Sequence, residues 1–150
     1  MLKPILLVED SSFDLELILV SLERSKLANE VVVARDGEEA LDYLLRRNAF
    51  ASRPEGNPAV VLLDLKLPKV NGLEVLEAIR SIDELRTIPV AILTGSKMEC
   101  DVEKAYGLGV NAYVVKPLEF KQFVSSVTGL SSFWAHLNEP PPGSIRVGIS

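Results

Sequence analysis

The sequence predicts an α/β fold, a doubly wound (βα)5 unit with a five-stranded parallel sheet and a C-terminal tail extension. Three observations carry this. Five short runs are rich in Val, Leu and Ile, and segments with apolar residues at helical spacing lie between them. Each run is continuously apolar rather than alternating, which means burial on both faces, as a parallel sheet covered by helices requires.

The strand runs are PILLV (Pro4 to Val8), EVVVA (Glu30 to Ala34), AVVLLD (Ala59 to Asp64), PVAILT (Pro89 to Thr94) and AYVVK (Ala112 to Lys116). Ser11 or Ser12 can cap a first helix through Arg24, with Leu15, Ile18, Leu19 and Leu22 on one face. Asp36 with Glu39, and Ser96 with Glu99, have the spacing of capping boxes for the second and fourth helices. The third helix starts near Asn71 and turns Leu73, Val75, Leu76 and Ile79 inward. A last helix is expected from Pro117 or Leu118, since proline suits a first helical turn.

Two segments lie outside the repeat. Asn48 to Pro58 exceeds an ordinary helix-to-strand loop and is either a functional loop or a tolerated insertion. The tail NEPPPGSIRVGIS cannot be helical at its prolines, and Ile145, Val147 and Ile149 then alternate with small or charged residues. The expected division is a globular domain over residues 1–137 and a C-terminal arm over 138–150.

The chain has 150 residues, 47% hydrophobic and 25% charged, which suits one domain with its own core. A net charge of -5 argues against nucleic acid, whose binding rests on clustered Lys and Arg. The single cysteine, Cys100, can form neither an internal disulfide nor a thiolate metal site, as expected for a reducing cytoplasm. No apolar run has bilayer length, and MLKPILLVED meets acid too early for a signal peptide, so neither membrane insertion nor secretion is expected.

In an open parallel sheet, ligands bind outside the carboxyl ends of the strands. Three acids sit there: Glu9 and Asp10 after the first strand, Asp64 after the third. Neighbouring carboxylates repel by about 4 kcal/mol per pair at an effective dielectric of 20, so either a cation joins them or one stays protonated. A hard divalent ion with oxygen ligands, Mg²⁺ above all, meets that demand. Thr94 and Lys116 end the fourth and fifth strands at the same edge. A carboxylate nucleophile, a metal and two donors for transferred oxygens suit phosphoryl chemistry. Singly, Asp10 reads as a helix cap, Thr94 as a strand residue, Tyr113 as core packing and Lys116 as surface charge; together on one edge they read as a site. His136, distant in sequence, reads as packing or surface.

The segments VED, LLDLKLPKVNG, ILTGS and YVVKPL, in that order between Lys3 and Leu130, resemble the four signatures of response-regulator receiver domains. The resemblance implies a flavodoxin-like receiver fold and a phosphoacceptor rather than an enzyme, with at most slow self-catalysed phosphotransfer and dephosphorylation. It makes Asp64 the phosphoacceptor, Asp10 a direct Mg²⁺ ligand, Glu9 a ligand through water, and the Lys66 carbonyl a further ligand. Thr94 becomes a switch hydroxyl, Tyr113 the aromatic that follows it, and Lys116 the phosphoryl-binding cation, with a cis Lys116-Pro117 bond. Lys66 departs from the common pattern, which favours small or neutral residues there, and its charge would change the lifetime of phospho-Asp64.

Too little chain follows Lys116 for a DNA-binding output domain, so a stand-alone, cytoplasmic regulator of protein contacts is expected. The Asn48 to Pro58 insertion and the FWAHLNEPPP ending resemble the regulators paired with bacterial and cyanobacterial phytochrome kinases. The implied partners are a sensor histidine kinase of that type or a histidine phosphotransfer protein, the latter making the chain a phosphorelay intermediate. A Mg²⁺-dependent aspartyl-phosphate phosphohydrolase is the competing class. Its acid-base position, two residues after the nucleophile, is occupied here by Lys66.

A last helix from Leu118 to Leu137 would run about 30 Å at 1.5 Å per residue, beyond a strand of about 20 Å. Either it overhangs the core with Phe133, Trp134 and Leu137, or it breaks near Gly129. Overhang is the expectation. It predicts a homodimer in which the last helices pack together and Ile145, Val147 and Ile149 add as a strand to the partner.

Overall fold

In the computed structural model, which describes residues 3–143, the five apolar runs form β1 (Ile5–Val8), β2 (Val31–Ala34), β3 (Val60–Leu63), β4 (Val90–Thr94) and β5 (Ala112–Val115). All pair in parallel, in the order β2-β1-β3-β4-β5. The helices are α1 (Ser12–Arg24), α2 (Gly37–Leu44), α3 (Gly72–Ser81), α4 (Glu99–Gly107) and α5 (Phe120–Ser132). The (βα)5 expectation therefore holds. The chain leaves β1 toward β2 and later crosses back to lay β3 on the other side of β1, so the carboxyl ends of β1 and β3 flank the switch point where such sheets bind ligands.

Successive residues of each strand feed two separate cores. Leu6, Val8, Val61, Leu63, Val90 and Ile92 pack with Ala40 and Tyr43 of α2, Val75, Leu76 and Ile79 of α3, and Ala105 of α4. Ile5, Leu7, Val60, Leu62, Ala91 and Leu93 pack with Ile18 and Leu22 of α1 and Phe123 and Val127 of α5. Both faces of β1, β3 and β4 are dry, which explains their unbroken apolar runs, while the edge strands β2 and β5 are partly covered. Among the described residues no helix is long and apolar enough to cross a membrane.

The helix starts follow local side-chain chemistry. Ser11 caps α1 by accepting from the Asp14 N–H at 3.2 Å. Asp36 caps α2 through the Glu39 N–H at 2.7 Å, which is half of the expected box. The full reciprocal box belongs to α3, where Asn71 and Glu74 accept from each other's backbone at 3.0 and 3.2 Å. The Ser96/Glu99 box does not form. Ser96 instead hydrogen-bonds the Asp101 carboxylate, and α4 begins at Glu99 without a side-chain cap. The last helix begins at Phe120, later than expected: Glu119 is its N-cap and its carbonyl accepts the first turn's bond from Phe123 N–H at 2.9 Å.

Helical backbone runs through Gly129 and passes into a π turn at Phe133–Leu137, closed by the Asn138 N–H to the Phe133 carbonyl at 2.7 Å. The overhang is partial. Trp134 packs back onto the core shared by α1 and α5, while Phe133 is 46% and Leu137 78% exposed. The wide turn changes which face each side chain follows, so one residue of the trio returns while two stay outside. Ile145, Val147 and Ile149, and the expected strand arm with them, lie outside the described residues.

The Asn48 to Pro58 link is an ordered cap on α2. A 3-10 turn at Asn48–Phe50 sets the Phe50 ring edge-on to Tyr43 at 5.3 Å. The Arg53 guanidinium lies 4.3 Å over the Tyr43 ring and donates to the carbonyls of Tyr43 and Leu44 at 2.7 and 3.1 Å. These are among the last carbonyls of α2, which have no partner inside the helix.

Candidate functional site

Ladder bonding continues one residue past the strands and places the polar residues at the sheet's carboxyl edge. Glu9 N–H donates to the Ala34 carbonyl at 3.0 Å, Asp64 N–H to Val8 at 3.1 Å and Lys116 N–H to Thr94 at 2.7 Å. By register Glu9 and Asp64 leave the sheet at one level, and Lys116 two residues farther along. The Asp64 loop is held by a close approach: a Cβ on Gly72 would lie 2.2 Å from the Asp64 carbonyl oxygen, so only glycine fits there.

The Lys116 ammonium is the hub. It donates to Glu9 Oε1 at 2.7 Å, to Asp14 Oδ2 at 2.7 Å and to Asp64 Oδ2 at 3.0 Å. Ser11 N–H donates to Glu9 Oε2 at 3.2 Å, and Leu65 N–H to Asp64 Oδ1 at 2.7 Å. Glu9 is 1% exposed, and burial pushes its carboxyl up to about 7, against the Lys116 hydrogen bond and together with the Asp64 charge. Burial works against the lysine's charge as well. The hydrogen bonds to Asp14 and Glu9, with the charges of Asp64 and Glu9, nevertheless hold its pKa above the ordinary lysine value. One ammonium is thus shared among three carboxylates, and full ionisation calls for further positive charge.

Glu9, Asp10 and Asp64 supply that opportunity. One carboxylate oxygen from each lies within 4.8 Å of the others, with Asp10 at the exposed side. All-oxygen, anionic donors on a partly open edge fit a hard divalent cation that keeps several waters. Lys66 is exposed on the loop just after Asp64.

Thr94 is buried at the end of β4, and its hydroxyl accepts a long contact from Ser96 N–H at 3.4 Å. The Tyr113 hydroxyl donates to the Ser96 carbonyl at 2.9 Å, so both residues are tied to the β4–α4 loop. The Lys116-Pro117 bond is trans, contrary to expectation. The lysine reaches all three carboxylates from the lower-energy isomer, so its contacts do not call for the cis form.

Phe133, Trp134 and Leu137 belong to the opposite end. α5 runs away from the carboxyl edge, and beyond it His136 lies 3.2 Å from Asn29 Oδ1 while Glu139 pairs with Lys3 at 3.9 Å. Sequence reasoning missed Asp14 and Arg35. Asp14 has the sequence signature of any acid in a helix's first turn, and its one signal is its place one turn after the acid pair. Arg35 donates to the Asp10 carbonyl at 3.1 Å and to Ser12 Oγ at 2.8 Å, a pairing between separate strand ends that spacing does not reveal.

Comparison with known proteins agrees with this geometry. The family model described as response regulator receiver domain matches residues 5–128. The response regulator Rcp1 of Synechocystis sp. is 41% identical over 132 residues, 88% of each chain. The phosphorylated cyanobacterial phytochrome response regulator RcpA superposes with a TM-score of 0.88 at 40% identity, over 94% of this chain and 99% of that one. The bacteriophytochrome response regulator RtBRR is 70% identical, with a TM-score of 0.77 over 96% of this chain and 87% of that one. With the switch-point acids, the lysine hub and the full-length likeness in agreement, this chain belongs to the response regulator receiver domain family.

Proposed function

We propose that this chain is a response regulator that accepts a phosphoryl group on Asp64 and thereby switches protein contacts. The observation that carries the reading is the largely covered Lys116 ammonium bonded at once to Asp64 and Glu9, beside an acid cluster of cation-binding geometry. An Asp64 oxygen attacks the phosphorus of a phosphohistidine; the P–N bond breaks with its electron pair going to the imidazole, which takes up a proton, and an acyl phosphate remains. Lys116 faces the oxygens on which charge collects. Glu9, Asp10, Asp64 and the Lys66 carbonyl would hold Mg²⁺, which supplies charge neutralisation and orientation when bound.

Thr94 is the hydroxyl that follows the phosphoryl oxygens, and Tyr113, already tied to the same loop through Ser96, moves with it. The donor is a histidine kinase of the phytochrome class, a reading supported by the likeness to RtBRR and RcpA. Exposed Phe133 and Leu137 support a homodimer through the end of α5, with residues 138–150 as an arm on the receiver domain of 1–137. Light scattering of a chain truncated before Glu139 tests the arm; an unchanged mass removes it.

The central test is treatment with acetyl phosphate and Mg²⁺, read by intact mass on wild type and Asp64→Asn. One phosphoryl adduct is expected on wild type and none on the variant. Equal labelling of both refutes the assignment.

A further inference from the structure

We infer that Asp14 is a positioning residue for phosphoryl transfer, holding the Lys116 ammonium over Asp64 through a contact that metal binding leaves intact. The inference rests on the phosphoacceptor reading of Asp64. A lysine has three N–H donors, and here they go to Glu9, Asp14 and Asp64. Two of these acceptors, Glu9 and Asp64, also belong to the cation-binding cluster; Asp14 does not. With a divalent ion on those two, and one Asp64 oxygen bonded to phosphorus, Asp14 is the partner whose charge is committed to the lysine alone. Its own position is set by Ser11, whose hydroxyl accepts from the Asp14 N–H at the start of α1.

Asp14 also reaches solvent. With Phe13, Leu17, Lys116, Pro117 and Leu118 it lines a cleft open to solvent beside the reacting groups. Its side chain is 27% exposed there, against 10% for Lys116. A negative charge this close to the lysine repels an anionic donor while its hydrogen bond aims the lysine. The two effects act on different kinetic parameters: repulsion raises the half-saturating donor concentration, and aiming raises the rate at saturation.

Full-length wild type, Asp14→Asn, Asp14→Ala and Asp64→Asn are compared with acetyl phosphate as the donor and Mg²⁺ in excess, each first checked for native circular dichroism. Asp14→Ala loses both charge and acceptor, so its saturating rate falls by about tenfold or more while its half-saturating concentration also falls. Asp14→Asn keeps an oxygen acceptor of the same shape, so its saturating rate stays within about threefold of wild type while the half-saturating concentration falls about two- to fivefold. A general loss of structure would not tighten donor binding. A second readout needs no metal or donor: the Lys116 ¹⁵N–¹H ammonium signal, assigned with Lys116→Met, is slowed in exchange in wild type and lost in Asp14→Ala. An unchanged saturating rate in Asp14→Ala, or an ammonium signal as protected as in wild type, overturns the inference. Labelling of Asp64→Asn overturns the phosphoacceptor reading instead.

Discussion

Replacing Lys116 by Met removes the ammonium and leaves its length of apolar stem, so the loss falls on three carboxylates. Glu9 is 1% exposed, and the lysine contacts it at 2.7 Å, Asp14 at 2.7 Å and Asp64 at 3.0 Å. Removing one partner of a buried ionic set costs about 3–5 kcal/mol, because the remaining charge has neither water nor counterion. Asp14 is partly solvated and contributes less than the buried contacts, so about 3 kcal/mol is expected for metal-free protein at pH well above 7, where Glu9 is ionised, and a smaller loss at neutral pH. For a chain of this size that lowers Tm by about 6–12 °C.

The loss is pH-dependent in a defined direction. Glu9 already titrates near 7 in the folded protein, above its ordinary 4.5, because it is buried. Without Lys116 the shift grows, and protonation removes the unpaired charge. The variant therefore approaches wild type as pH falls toward Glu9's ordinary value, and the deficit opens as pH rises through the folded-state value. Millimolar Mg²⁺ closes part of it at neutral pH by restoring positive charge. The assay is thermal unfolding of both proteins in chelator and in Mg²⁺ across that range. A Tm difference that is small and flat with pH would show that the lysine hub carries no net electrostatic stabilisation.

Further outcomes follow from other parts of the fold. Glu9→Gln removes the group with the raised pKa, so metal-free variant protein gains on wild type as pH rises from about 4.5 through about 7, by roughly 3 kcal/mol in denaturant unfolding. Arg53→Ala deletes the bonds to the Tyr43 and Leu44 carbonyls and the stack over Tyr43, and costs about 2 kcal/mol in the same assay. Gly72→Ala forces a Cβ against the Asp64 carbonyl, so it lowers the rate of Asp64 phosphorylation by about tenfold or more even where the fold survives, measured by intact mass against time.

The strands, their parallel pairing and the edge carrying Glu9, Asp10, Asp64, Thr94 and Lys116 were legible because they depend on local pattern. A run dry on both faces has few homes, and its last residue marks the sheet edge. Capping was less legible. Ser96 has the spacing of a cap, yet it bonds Asp101 after folding, a competition between acceptors that spacing does not decide. The Asn48 to Pro58 link read as loop or insertion because its order comes from one guanidinium reaching back to α2.

Fold class, element order and the identities of the acids and the lysine at one edge are already written in the chain's residue pattern. It is in the folded chain that Asp14 comes to share the lysine, that Lys116-Pro117 is trans, and that Trp134 returns to the core while Phe133 and Leu137 do not. The division has a physical cause. Backbone pattern and hydrophobic period act over a few residues and are written locally, whereas a three-donor ammonium chooses acceptors from every chain segment that folding brings within reach.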